Sequence, residues 1–341
     1  MATEKINIKN FLKLADQYPV IDVRSPGEFN HAQIPGAYSL PLFSDEERKV
    51  VGTAYKQQSR EAAIKIGLDF FGVKMKKMIE EIESLNSKTL LVNCWRGGMR
   101  SGAVAWLLDM YGFKVYTLSG GYKAFRNWVL MQFDKDYNLK ILGGYTGSGK
   151  TLVLTELKEK GHPVIDLENL ANHKGSAFGA IGEKPQPSQE MFENLLALEL
   201  FKKSSSSETW LEDESQRIGK LIIPNSFWEK MRNSPIYFLD IPFEERLNYL
   251  VSTYGSLEKD KLVESIQRIQ KRLGGLETKT AIALLTEDNI KECFSILLKY
   301  YDKLYHKGLH NRKNYESLLN IIPCLSVNSS VNVNKLSLQE A

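Results

Sequence analysis

Two stretches of this chain hold side chains whose types and spacing can do chemistry. The first is Leu91-Val92-Asn93-Cys94-Trp95-Arg96-Gly97-Gly98-Met99-Arg100-Ser101. It follows an apolar run, Thr89 to Val92, that reads as a buried strand, and it precedes a helical pattern from Ser101 to Met110. Gly97 and Gly98 carry no Cβ, so backbone N–H groups can turn inward there. With the positive end of the following helix, those donors make a nest for an anion, and Arg96 and Arg100 add charge. The same field favours thiolate over thiol and makes Cys94 a nucleophile. The plainer alternative for a lone cysteine is an inert core filler.

The second stretch is Gly144-Tyr145-Thr146-Gly147-Ser148-Gly149-Lys150-Thr151, which fits G-x-x-x-x-G-K-[ST] at every fixed position. The strand before it, Leu139 to Gly143, and the helix after it, Leu152 to Lys160, supply the context this motif requires. Backbone N–H groups of Gly144, Gly147, Ser148 and Gly149 can wrap a di- or triphosphate. Lys150 neutralises its oxygens, and the Thr151 hydroxyl can hold Mg²⁺.

Acidic and polar segments follow the phosphate loop. Asp166, at the end of the strand Pro163 to Glu168, either faces a metal or caps the next helix. His173 and Lys174 lie in a glycine-bearing polar loop and suggest contact with an anionic ligand, or an ordinary surface loop. The strand Glu208 to Ser215 ends in Glu212, Asp213 and Glu214, which repel one another unless cations offset them. Mg²⁺ and Arg217 would do so, with Glu212 or Asp213 nearest the metal.

Short strands alternating with helices must position both loops, which implies parallel sheets with helices on both faces. Such sheets bind ligands at the carboxyl ends of their strands. The expected organisation is an α/β chain of two domains: a parallel-sheet domain over 1–134 and a P-loop NTPase-like α/β domain with a helical C-terminal part over 135–325. A loose polar tail is expected over 326–341 and a short loop over Ser204 to Ser207. One helix is expected over Arg60 to Ser84. Helical patterning from Phe243 to Tyr315 is broken at Gly274-Gly275. It carries Arg268, Lys271, Arg272, Lys299, Lys303, Lys307, Arg312 and Lys313 among Tyr300, Tyr301, Tyr305 and Tyr315. That mixture either grips an RNA backbone and stacks a base, or is a solvated face over an aromatic core. His31 reads as a turn histidine.

Hydrophobic content of 43% and charged content of 25% describe a globular chain, and the net charge of +4 is too mild to imply nucleic acid by itself. No apolar run is long enough to span a bilayer, and Met1-Ala2-Thr3-Glu4-Lys5 is not a signal peptide. Cys94, Cys293 and Cys324 are too few and too scattered for a disulfide framework or a zinc site. The expected compartment is the cytoplasm, where Cys94 stays reduced.

The first half resembles a rhodanese domain. The resemblance is carried by Asp22-Val23-Arg24-Ser25-Pro26-Gly27-Glu28-Phe29, Ile34-Pro35-Gly36-Ala37, the Cys94 loop and Leu118-Ser119-Gly120-Gly121-Tyr122, in that family's order. One departure is the loop length: Cys94 to Arg100 spans seven residues, where the family's sulfurtransferases have six. Cys-x5-Arg-Ser is also the signature of cysteine phosphatases, although Asn93 replaces their usual histidine. The longer loop suggests a bulkier oxyanion than a bare sulfane sulfur.

The whole chain resembles the tRNA 2-selenouridine synthase family, a rhodanese domain fused to a P-loop domain. The Cys94 loop, Gly144 to Thr151, Asp166-Leu167-Glu168, Asn172 to Ser176, Glu212 to Ser215 with Ile218-Gly219, and Gly52 to Gln57 carry that likeness. The resemblance implies action on wobble 2-thiouridine in the tRNA anticodon. The sulfur is first alkylated with geranyl from geranyl diphosphate, and the S-geranyl group is then replaced by selenium from selenophosphate. It implies that the P-loop, with Lys150 and a Thr151-bound Mg²⁺, holds the prenyl diphosphate, joined by His173 and Arg217 as ligand contacts. It also implies that Trp95, Gly97, Gly98 and Met99 bind selenophosphate with Arg96 and Arg100 as counter-charges, while Cys94 accepts selenium as a perselenide or guides it to the base. Two other classes compete: a sulfurtransferase joined to a P-loop ATPase or kinase, and a non-enzymatic oxyanion-sensing switch.

Overall fold

The computed structural model describes residues 3–203 and 208–339; the serine run 204–207 and the last two residues of the expected tail lie outside the described residues. By contact the chain divides into two units. One is the stretch up to Gln132 together with Glu193–Ala197, and the other is the remainder.

In the first unit, β1 (Glu4–Ile6), β2 (Val20–Asp22), β3 (Tyr38–Ser39), β4 (Thr89–Asn93) and β5 (Lys114–Leu118) form an all-parallel sheet in the order β1-β5-β4-β2-β3. A parallel sheet is covered on both faces, which is why the centre of its middle strand is an unbroken apolar run. Leu90, Leu91 and Val92 of β4 are fully buried. Central β4 runs beside β2 with Asn93 opposite Asp22, so the Cys94 loop and the Asp22-Val23-Arg24 turn emerge side by side. The helices Met99–Tyr111 and Gly121–Gln132 leave from β4 and β5. The single helix expected over Arg60 to Ser84 is two, Arg60–Gly72 and Met75–Glu83. The break falls after Gly72, where the Lys74 N–H donates to the Phe71 carbonyl in a tighter turn.

In the second unit, β6 (Leu139–Gly144), β7 (Val164–Ile165), β8 (Thr209–Glu212), β11 (Ile236–Asp240) and β12 (Leu319–Pro323) form another parallel sheet, ordered β12-β11-β6-β8-β7. Between β8 and β11, β9 (Arg217–Ile218) and β10 (Leu221–Ile222) make a small antiparallel pair. The phosphate loop leaves the carboxyl end of central β6, and the three acids leave β8 beside it. The helices from Phe243 to His310 bury their own core of Leu262, Ile266, Ala281, Leu285, Cys293 and Leu298. Gly274, at φ +107°, separates Gln270–Leu273 from Gly275–Thr286, the break its glycine pair predicts.

The expected tail is a helix, Ser329–Gln339. Val333 and Leu336 are fully buried in one cluster with Val153, Leu154 and Leu157 of the helix after the phosphate loop. The Ser329 and Ser330 hydroxyls donate to the Glu156 carboxylate at 3.0 and 2.9 Å. Polar Asn and Ser mask that segment in sequence, but two apolar residues three apart suffice to dock one turn of its face.

Candidate active sites

Cys94 stands at the mouth of its loop with only 3% of its surface exposed. Its Sγ lies 3.2 Å from Ser101 Oγ, and the Ser101 hydroxyl donates to the Gly98 carbonyl at 3.1 Å. Burial pushes the thiol up, but the Ser101 hydroxyl and the N–H groups of Gly98, Ser101 and Arg96 outweigh it and hold Cys94 below the usual cysteine value. The thiolate reading therefore stands on donors, as the nest predicts.

The loop is clamped from behind. Tyr122 and Lys123 N–H groups donate to the Cys94 and Trp95 carbonyls at 2.8 and 3.0 Å. A Cβ at Gly121 would lie 2.2 Å from the Cys94 carbonyl oxygen, and one at Gly97 would lie 2.4 Å from that of Leu118. The two glycine turns interlock backbone to backbone, and both have positive φ. Arg24 is buried against Asp22 and the Ala32 carbonyl, with its guanidinium 3.8 Å from the Tyr122 ring centroid.

Of the expected counter-charges, Arg96 is exposed on the loop. Arg100 instead donates to Glu28 at 2.8 Å, and Arg48 reaches the same carboxylate. Burial raises Glu28, but Arg100 outweighs it and the group lies below the usual carboxylate range. The Arg100 charge is thus largely offset within the protein. Trp95 and Met99 present exposed side chains beside the thiol.

In the phosphate loop, Lys150 Nζ donates to the Gly144 carbonyl at 2.9 Å and Thr151 Oγ1 donates to Glu168 Oε2 at 3.3 Å. Ser148 is buried with its Oγ unpartnered, directly against Gly144. Gly147 and Gly149 both take positive φ.

Asp213, expected near the metal, is engaged by side chains of the protein itself. It pairs with buried Arg312 and accepts a hydrogen bond from Tyr305 at 2.7 Å. Tyr305 Oη in turn accepts the Gly144 N–H at 3.2 Å. So Tyr305 and Arg312, expected in a basic aromatic face, support the phosphate loop instead. The acid nearest Thr151 is Glu168, whose N–H donates to Glu212 at 2.8 Å. Burial, then mutual repulsion, pushes Glu212 and Glu214 well above the usual carboxylate range; Glu168 is also raised, against the pull of Lys150. Asp166 caps the helix Leu167–Ala171 by accepting from Asn169 N–H at 2.8 Å.

Among the described residues, no group of three or more His, Cys, Asp and Glu side chains is arranged to hold a metal ion. Mg²⁺ needs less, because it keeps several waters and takes one or two carboxylates beside substrate phosphates. The Thr151 hydroxyl and Glu168 carboxylate, next to a phosphate cradle, fit that requirement.

A cleft of about 1530 Å³ opens from the phosphate loop. Lys150, Thr151, Glu168, Arg217 and His173 are among its polar lining residues, and Leu250, Phe294, Leu297, Leu298 and Leu304 among its apolar ones. His173 is 9% exposed with Nδ1 unpartnered, and burial lowers its pKa, so it meets a ligand as a neutral ring and not as the cation an anion contact would prefer. Glu168, the Thr151 partner, belongs to the acidic strand end Asp166-Leu167-Glu168 that the sequence marks for a metal. Trp228, also in the cleft lining, carries no such signal in the sequence.

A thiolate on an oxyanion loop and a lysine-bearing phosphate cradle, each at the carboxyl edge of its own parallel sheet, define a group-transfer enzyme of rhodanese-plus-P-loop type. Residues 7–127 match the Rhodanese-like domain, and residues 137–319 match the tRNA 2-selenouridine synthase AAA domain. The tRNA 2-selenouridine synthase of Nitrosomonas europaea is 40% identical over 246 residues, covering 69% of this chain and 63% of that one. Those of Sulfurovum sp. and Shewanella sediminis are each 36% identical; the first match covers 84% of this chain and 87% of the relative, the second 87% and 89%. The chain thus spans less than two thirds of the first relative and most of the other two. It belongs to the tRNA 2-selenouridine synthase family.

Proposed function

We propose that this chain converts wobble 2-thiouridine in tRNA to 2-selenouridine in two steps, with geranyl diphosphate and selenophosphate as donors. The observation that carries the reading is a cleft lined both by the phosphate loop and by leucine and phenylalanine side chains. A nucleotide would use the phosphate loop but not the leucine and phenylalanine wall, whereas a prenyl diphosphate uses both.

In the first step, the thiouridine sulfur attacks C1 of the prenyl chain. The C–O bond breaks, the pyrophosphate leaves with its electron pair, and the N3 proton goes to solvent. Lys150 and the loop N–H groups stabilise the charge that develops on pyrophosphate. Thr151 and Glu168 would hold Mg²⁺, which when bound neutralises phosphate oxygens.

In the second step, selenium from selenophosphate adds at C2, the geranyl thiolate leaves, and water cleaves the P–Se bond at phosphorus. Alkylation in the first step makes that departure possible, since an S-alkyl sulfur leaves as thiolate. The N–H groups of the Cys94 loop, with Arg96, receive the donor's oxyanion face, and Cys94 guides the selenium to C2. The reduced thiol this asks of Cys94 fits the cytoplasm.

The test is to incubate the protein with a 2-thiouridine anticodon stem-loop and each donor alone, then both, and to read the nucleosides by mass spectrometry. S-geranyl-thiouridine with the first donor and selenouridine only with both is the expected pattern. ATP hydrolysis with the RNA left unchanged would overturn it in favour of a P-loop ATPase.

A further inference from the structure

Trp95 is the residue next to the nucleophile, and its indole is 36% exposed. It does not stand alone. Its ring packs on Tyr122 at 5.7 Å between centroids, Tyr122 on Phe125 at 5.8 Å, and Phe125 on Trp128 at 5.8 Å. Tyr122 and Phe125 are fully buried, and the Arg24 guanidinium sits over the Tyr122 ring. The Trp95 carbonyl accepts the Lys123 N–H, and the loop on either side of it packs against the Gly120-Gly121 turn backbone to backbone. The result is a four-ring ladder through the first unit whose last rung is open to solvent beside Cys94.

Resting on the functional reading above, we infer that Trp95 is the stacking platform for the target pyrimidine during selenium transfer. A flipped-out base has a π-face whatever its edge carries, and an indole fixed from behind presents a surface for it at small entropic cost. Stacked there, the base has its C2 edge within the reach of the Cys94 loop. Arg96, exposed on the same loop, is placed for the flanking phosphate. Burying Trp95 like its three partners would serve packing better; leaving it open serves a ligand.

The experiment uses the full chain and measures the binding of two labelled anticodon stem-loops, one with 2-thiouridine and one with its S-geranyl derivative. Trp95→Ala should weaken both by about 5- to 100-fold, the range for loss of one base–aromatic stack. Trp95→Phe should restore most of the affinity, and Trp106→Ala, at an exposed indole further along the helix Met99–Tyr111, should change nothing. Unaltered binding by Trp95→Ala, or a Phe variant as weak as Ala, overturns the platform. A loss confined to the geranylated RNA also overturns it, because Trp95 would then be holding the prenyl chain. If the wild-type chain neither binds nor modifies either RNA, the functional reading itself falls, and the platform with it.

Discussion

Replacing Ser101 by Ala removes one donor to Cys94 and nothing else of size. Its Oγ lies 3.2 Å from Sγ in a buried site, so the lost bond is one to a charged acceptor, which is worth about 1.5–3 kcal/mol. The geometry points to the lower end. The same hydroxyl donates to the Gly98 carbonyl when Cys94 is a thiol, and it must give up that bond to serve the thiolate. About 1.5 kcal/mol corresponds to roughly tenfold less thiolate at a pH below the titration. The assay is the iodoacetamide alkylation rate of Cys94 against pH, read by peptide mass spectrometry. Wild-type reactivity rises with pH and levels off below the ordinary cysteine range, because Cys94 is held low. In Ser101→Ala the curve moves to higher pH, and alkylation on its rising limb, below the titration, falls about tenfold. Cys293, pushed up to about 11 by burial, stays silent throughout as an internal control. A variant curve that superimposes on wild type would refute the hydroxyl's role, and a wild-type Cys94 that titrates like a free cysteine would refute the nest.

Asp213→Asn should cost about 3–5 kcal/mol of stability, because it leaves the Arg312 guanidinium buried without its counter-charge. A denaturant midpoint unchanged from wild type would return Asp213 to the role of a metal ligand. Leu336→Ala should destabilise by about 2–5 kcal/mol through a cavity in the second unit's core; a loss below about 0.5 kcal/mol would mean that the last helix does not pack.

Both reactive loops were legible because each needs glycine at fixed places and a chemical group at its end, a pattern that survives in one dimension. The strand before each loop was legible too, since buried parallel strands are mostly apolar: Leu90 to Val92 in one, and Leu139, Ile141 and Leu142 around Lys140 in the other. Side-chain pairing between distant segments was not. Asp213 and Arg312 lie far apart in sequence, and three consecutive acids look equivalent until the pleat of β8 and the turn after it send each a different way. Glu212 turns to the Glu168 amide, Asp213 to Arg312 and Tyr305, and Glu214 to the Glu168 carboxyl group. The basic aromatic stretch held both of its readings open for a similar reason. Tyr305 serves the phosphate loop and Tyr301 Oη accepts the Ala177 N–H at 3.2 Å, partners that only the fold supplies. The strands Glu4–Ile6 and Leu319–Pro323 went unseen because edge strands are short and carry a weaker pattern.

The central claim is a division of labour between the two loops, and nucleoside mass spectrometry of the thiolated stem-loop with both donors present tests it most directly in two variants. Cys94→Ser should accumulate S-geranyl-thiouridine with no selenouridine, and Lys150→Ala should leave 2-thiouridine unreacted. Full selenation by Cys94→Ser, or undiminished geranylation by Lys150→Ala, would contradict the account.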